Sequence, residues 1–379
     1  MNGRAPPARL DNLISWFAAA VVVSAGVIYA LREGDKQSRS DVAFVPPRAS
    51  PAQEPLGLQA ARAAEIGRGR TARAPHHIPW RGWKDILVRT YYEIQEDRLF
   101  ALAAGVVFYS LLALFPAIAA GVSVYALFAN AATINNHLSI AADIVPPSSI
   151  ELLSSEISRI AAKSDGKLTY GFLFALAVAL WSANAGMKSI FDALNVIYDE
   201  EEKRGIIGLN AESLFFTICA IAGAGLAIAV VVVFPLLLAA FGLTTLDAPI
   251  IAYLRWPLMF VLMIIGLSVL YRFGPSRRRA KWRWLTVGSV FASLAWLAVS
   301  ALFSWYLGNF ANYNATYGAL GAVIGLMMWM WLTTLMVLIG AELNSEIEHQ
   351  TSIDSTVGGE KPLGARGAVM ADTVGAAAT

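Results

Sequence analysis

Cysteine is almost absent: Cys219 is the only copy in 379 residues. A single thiol forms no intrachain disulfide and builds no cysteine-rich metal site, and its place inside an apolar run marks it as a small packed residue. Histidine is scarce as well. His76 and His77 stand ahead of an aromatic stretch, His137 follows a long apolar run and His349 lies near the C-terminus, so only the adjacent pair shares an element. No Walker loop, dinucleotide fingerprint or serine nucleophile elbow occurs. A nuclease needs a positioned acid and base or a metal cluster, and this pattern assembles neither. The chain is not expected to be an enzyme, nor to hold a cofactor or metal. Its basic linker attracts RNA without specificity, so no specific nucleic acid is expected.

Charge is scarce too, at 15% of residues against 57% hydrophobic, with a mean hydropathy of +0.56. That balance excludes an ordinary soluble protein. Crossing a bilayer takes about 20 apolar helical residues, because hydrocarbon leaves no partner for unpaired backbone groups, so windows free of Asp, Glu, Lys and Arg mark the spans. Leu99 to Ala142 is one such window, and its first thirty residues make a first span. Leu168 to Met187 makes the second and Ser213 to Leu246 holds the third. The fourth runs from near Pro249 to Tyr271, with Arg255 close enough to its start to snorkel. Trp284 to Ala341 is 58 residues without a charge, which is two spans. They break at Gly308, Asn309, Asn312 and Asn314, where Tyr313 and Tyr317 also gather. Leu13 to Leu31 is a further apolar run, too long for a secretory h-region and without a clean cleavage site. The expected fold is therefore an all-α membrane protein: a six-helix bundle plus an N-terminal transmembrane anchor over residues 1–31.

Orientation follows from the 29 Lys and Arg. Segment 32–98 holds 12 of them and the connection after the fourth span holds 6. Placing segment 32–98 in the cytoplasm puts 23 basic residues inside and 6 outside, as the positive-inside rule requires. The expected location is the bacterial inner membrane, multi-pass, with the C-terminus cytoplasmic and the N-terminus outside.

Residues 32–79 are rich in Ala, Arg, Pro and Gly without apolar periodicity and read as a disordered basic cytoplasmic linker. Residues 350–379 read as a disordered tail. Between them lies the membrane domain, 80–349, opening with an aromatic and charged stretch, Trp80 to Arg98, typical of a helix at the membrane surface. In the outward connection, Ser148 and Glu151 have capping-box spacing ahead of Ile150, Leu153, Ile157 and Ile160, which predicts an amphipathic helix.

Three stretches in order, AAGVVFYSLLALFP at 103–116, Leu180 to Tyr198 ending in DALNVIY with Glu200 to Arg204 after it, and NYNATYGALGAVIGLMMWMWLTTLMVLIGAELN at 312–344, resemble the YihY/BrkB family of bacterial inner-membrane proteins. The resemblance covers roughly residues 80 to 350. It implies six spans with cytoplasmic ends, and it brings a former ribonuclease label together with associations to serum resistance and envelope lipid handling. No settled activity comes with it.

Asn184, Lys188, Asp192 and Asn195 fall at spacings of 4, 4 and 3 beneath Trp181, one polar stripe on the second span. Lys188 and Asp192 can pair at i, i+4. Glu342 ends the sixth span at the depth of Lys188 and could pair with it across helices. The stripe is either a substrate pathway or a structural set of interfacial charges. Pro116 and Pro235 break the first and third spans, as kinks or as transport-type interruptions. Gly318, Gly321 and Gly325 suit close packing of the sixth. Arg272, Arg277, Arg278, Arg279, Lys281 and Arg283 crowd one short loop between spans four and five, beside Trp282 and Trp284. They fix topology, and Arg277, Arg278, Arg279, Lys281 and Arg283 are candidates to hold anionic lipid headgroups on the cytoplasmic side.

The leading functional expectation is transport or flipping of an envelope lipid or other amphiphile. A non-transporting envelope scaffold or regulator is the alternative, with residues 32–98 as the contact for a protein partner or a second copy. With no ATP motif and no mid-span acid, facilitated movement is the simplest form of transport.

Overall fold

The computed structural model describes residues 54–128, 168–228, 248–310 and 319–378, and six long helices run through them. After α1 (Leu56–Ala63) and a short 3-10 turn (Pro75–His77) come α2 (Trp80–Glu96), α3 (Leu99–Phe128), α4 (Leu168–Ile197) and α5 (Ile206–Ile228). They are followed by α6 (Ala248–Phe273), α7 (Trp282–Phe310), α8 (Ala319–His349) and the single-turn α9 (Val369–Asp372). Helices α3 to α8 fall where the six charge-free windows place them, since an apolar segment with no water to bond to closes its backbone bonds within itself. Among the described residues, Ile206–Leu226, Trp282–Leu307 and Val323–His349 are long and apolar enough to cross a membrane, and Leu99–Ala113 and Pro257–Phe273 are shorter apolar stretches. The expected anchor at 1–31, the helix at 148–160, Pro235 and the turn residues Asn312 to Tyr317 lie outside the described residues. Pro116 falls inside α3 and Pro257 inside α6, which stays helical through it.

Helix α8 is the hub, packing against α7, α3, α2 and α4. Its closest approach is to α7. A Cβ at Gly288 would collide with the Gly340 carbonyl, and one at Gly340 would lie 2.6 Å from the Ala292 Cβ. Asn344 closes this seam, accepting from the Gly288 N–H at 2.8 Å and donating to the Leu285 carbonyl at 3.0 Å. A small-residue seam thus lies at Gly340, and of the expected stripe Gly321 is buried. Gly325 has open space where a side chain would be, and Gly318 is outside the described residues. Cys219, expected to be packed, is exposed on α5.

Among the described residues burial is greatest toward one end of the helices, where Leu99, Leu194, Tyr198, Tyr271, Leu285 and Leu338 form the main core. Ile78, Ile86, Trp284, Leu343 and Ile347 form a second cluster that ties α2 to α8. Elsewhere large apolar side chains such as Phe108, Leu112, Phe215, Ile218, Val261, Ile265 and Leu302 are exposed, the surface that helices facing hydrocarbon present. Helix α2 buries Asp85, Ile86 and Arg89 and leaves Trp80, Leu87, Tyr91 and Tyr92 outward. Arg98, in the left-handed region at φ 52, turns α2 into α3 within two residues.

The two segments expected to be disordered are folded where they are described. Residues 54–79 and 350–378 wrap the polar end of the bundle within one compact unit. They bury a few apolar side chains, Ile78, Met370 and Val374 among them, and long-range polar contacts order the rest. Arg70 donates to the carbonyls of Gln350 at 3.2 Å and Gly375 at 2.7 Å. Arg89 pairs with Glu346 and reaches Gln350 Oε1 at 2.8 Å. Thr351 bonds the Ala72 carbonyl at 2.7 Å. An antiparallel bridge, Ala280 to Thr356, ties the tail to the loop after α6.

Candidate functional site

The polar stripe of α4 is occupied by internal bonds. Lys188 Nζ donates to Asn210 Oδ1 of α5 at 3.1 Å and lies 5.7 Å from the Trp181 ring centroid. Asn184 reaches the same oxygen at 3.4 Å. Asn195 donates to Glu202 at 3.0 Å and accepts from the Ser276 N–H at 2.7 Å. No salt bridge joins Lys188 to Asp192 among the described residues: Asp192 is exposed and the Lys188 ammonium is hydrogen-bonded to Asn210.

The expected pair between Lys188 and Glu342 is absent too. Glu342 is fully buried and faces Asp97 and Glu346. Burial first, and the Asp199 charge second, push the Asp97 carboxyl up to about 7. The two acids come together because Asp97 sits in the tight turn into α3, which packs on α8.

The basic loop divides in a way its sequence does not show. Arg277 is no headgroup contact: its side chain is fully buried and bonds Glu348 at 2.7 and 3.0 Å, with its guanidinium carbon 3.9 Å from the Tyr198 ring centroid. Lys281 donates to the Asp354 carbonyl at 2.8 Å, drawn there by the folded tail. Arg283 is exposed and Arg279 lies 4.6 Å from the Phe273 ring centroid.

Beside this loop is a cavity of about 310 Å³ lined by Lys203, Arg204, Arg272, Arg277, Arg278 and Arg279, with Glu212 as its acid. Lys203 and Arg204, on the connection between α4 and α5, carry no ligand signal in the sequence, since the acids Asp199 to Glu202 outnumber them there. They are paired, Lys203 with Glu200 at 2.6 Å and Arg204 with Glu202 at 2.7 Å and Glu212 at 3.0 Å. The Arg204 hydrogen bond holds the Glu202 carboxyl down at about 2. Arg272, Arg278 and Arg279 form no ion pair among the described residues. Arg272 Nε and Nη1, Arg277 Nε and Arg278 Nη1 are shielded from solvent and bond no acceptor. Arg272 is held against the Trp282 ring, 4.2 Å from its centroid. Such a cavity can hold a polyanion at the end of an apolar helix. Among the described residues no cluster of three His, Cys, Asp or Glu could hold a metal ion.

The chain is 32% identical over 228 residues to the ribonuclease-like protein YfkH of Bacillus subtilis (strain 168), a match covering 57% of this chain and 78% of that one. It is 30% identical over 181 residues to the UPF0761 membrane protein IL2447 of Idiomarina loihiensis, covering 47% and 60%. It is 28% identical over 251 residues to the UPF0761 membrane protein Nmul_A0452 of Nitrosospira multiformis, covering 65% and 57%. The match thus spans less than two thirds of the length of the last two. No solved structure matches. The profile of the family described as Virulence factor BrkB matches residues 90–362, which takes in every long helix of the bundle, and the chain belongs to that family.

Proposed function

We propose that this multi-pass membrane protein moves an amphiphile, an envelope lipid or lipid-linked precursor, across the membrane and does not act as an enzyme. The observation that carries the reading is the cationic cavity at the end of α6, where unpaired guanidinium groups stand beside Phe273 and Trp282. A charged headgroup and an apolar tail are both accommodated by that arrangement. The ribonuclease-like name belongs to the Bacillus relative. Here Glu212, the acid of the cavity wall, and Glu202 beside it are engaged by Arg204, so among the described residues neither is free to act as a general base there.

The test is translocation of fluorescent envelope lipids by the purified chain in proteoliposomes, against empty vesicles. Flipping above background is expected. Its absence with a well-folded protein overturns transport in favour of the scaffold reading. One observation favours that second reading: the α4 stripe is spent on hydrogen bonds to Asn210, Glu202 and Ser276 and lines no described cavity.

A further inference from the structure

We infer that the cavity between the α4–α5 connection, the end of α6 and the α6–α7 loop is a binding site for a phosphate-type anion, read by Arg272, Arg278 and Arg279. The inference deepens the proposed function, whose substrate it assigns to the phosphate-bearing class.

Charge pairing separates these three residues from the other cations of the wall. Lys203, Arg204 and Arg277 are matched by Glu200, Glu202, Glu212 and Glu348, so they frame the cavity without needing a ligand. Arg272, Arg278 and Arg279 form no ion pair among the described residues, and with them six cations face those four carboxylates, an excess of two positive charges. Like charges gathered in one place repel, and an arrangement of this kind is relieved by a bound anion.

The donors are also set in place. Trp282 and Phe273 hold Arg272 and Arg279 by their ring faces. Arg278 is fixed through its backbone, which donates to the Gly367 carbonyl at 2.9 Å, so the folded tail completes the site. Guanidinium forks match the tetrahedral oxygens of phosphate, which accept from several forks at once, whereas a carboxylate is satisfied by one. The cavity volume of about 310 Å³ leaves room for more than a single phosphate. Either a lipid phosphate entering along α6 or a free phosphate compound supplies this chemistry.

The test uses the full chain in non-ionic detergent, titrated with sodium pyrophosphate and separately with phosphatidic acid in mixed micelles. Wild type, R272Q/R278Q, R279Q and R73Q, an exposed arginine outside the cavity wall, are compared, each with its melting temperature. Wild type and R73Q should bind alike, and each pocket substitution should weaken binding about tenfold, the equivalent of one charge-assisted bond. R279Q keeps the test open if the double variant fails to fold, since Arg279 is exposed. Saturable pyrophosphate binding with no gain from the lipid identifies a free phosphate compound, and tight binding of the lipid alone identifies a headgroup. Equal binding by wild type and pocket variants, or none of either probe, overturns the site. Binding lost in the variants without any flipping by wild type keeps the site and overturns transport. Flipping unchanged in variants that bind as wild type does keeps transport and overturns the site.

Discussion

Arg277 and Glu348 form a two-bond ion pair, at 2.7 and 3.0 Å, with neither side chain exposed to solvent. The pair joins the loop after α6 to the last turn of α8, and Ser355 of the tail adds a third contact to Glu348 at 2.9 Å. Removing one partner strands a buried charge, so Arg277→Met should cost about 3–5 kcal/mol. Arg277→Met with Glu348→Met should recover most of it. Melting of the four proteins of the cycle in detergent checks this; additive losses would mean that the pair is not coupled.

Asp97 makes stability depend on pH. Its folded pKa of about 7 lies above that of the unfolded chain, so the folded state binds the extra proton between about pH 4 and pH 7. This contribution to stability is fully present near pH 4 and is lost as pH rises through 7. Asp199, Glu96, Glu342 and Glu346 are the acids around it. Asp97→Asn should flatten the melting temperature over that window, and an unchanged slope would remove Asp97 as its source.

Glu342 and Lys188 should act independently. Glu342→Gln removes the cost of fully burying an acid, and only after that its closeness to Asp97 and Glu346, and should raise stability at neutral pH, whereas Lys188→Gln loses the bond to Asn210. The two effects should add in the double variant. Non-additivity above about 0.5 kcal/mol would reveal coupling between these positions.

The seam between α7 and α8 tolerates no added carbon. Gly288→Ala places a methyl against the Gly340 carbonyl and should destabilise by about 1–3 kcal/mol, while Gly325→Ala, in open space, should be close to neutral. Comparing their melting temperatures decides the matter, and equal effects would show that the helices do not meet at Gly288.

A chain ending at Gln350 should expose the loop after α6. Lys281 and Arg278 lose their carbonyl partners, Asp354 and Gly367, so trypsin should cut at Arg277, Arg278 or Arg279 while sparing the full chain. Equal resistance of both would show that the loop is ordered without the tail.

The sequence by itself determined the helices: α3 and α6 begin and end within a few residues of the windows read from missing charge, because hydrocarbon permits little besides a helix whose bonds are local. Family membership was also legible, in three ordered motifs. What tertiary structure alone decided is which charges are spent and which are free. Arg277 and Arg278 are neighbours in sequence, yet Glu348, 71 residues away, takes one and leaves the other facing the cavity. Arg70 is ordered by the Gly375 carbonyl, 305 residues distant, and so a segment that looks disordered by composition is folded. Local patterning records hydrophobicity and helix period, but an ion pair depends on where two distant segments meet, and that is set by packing of the whole chain.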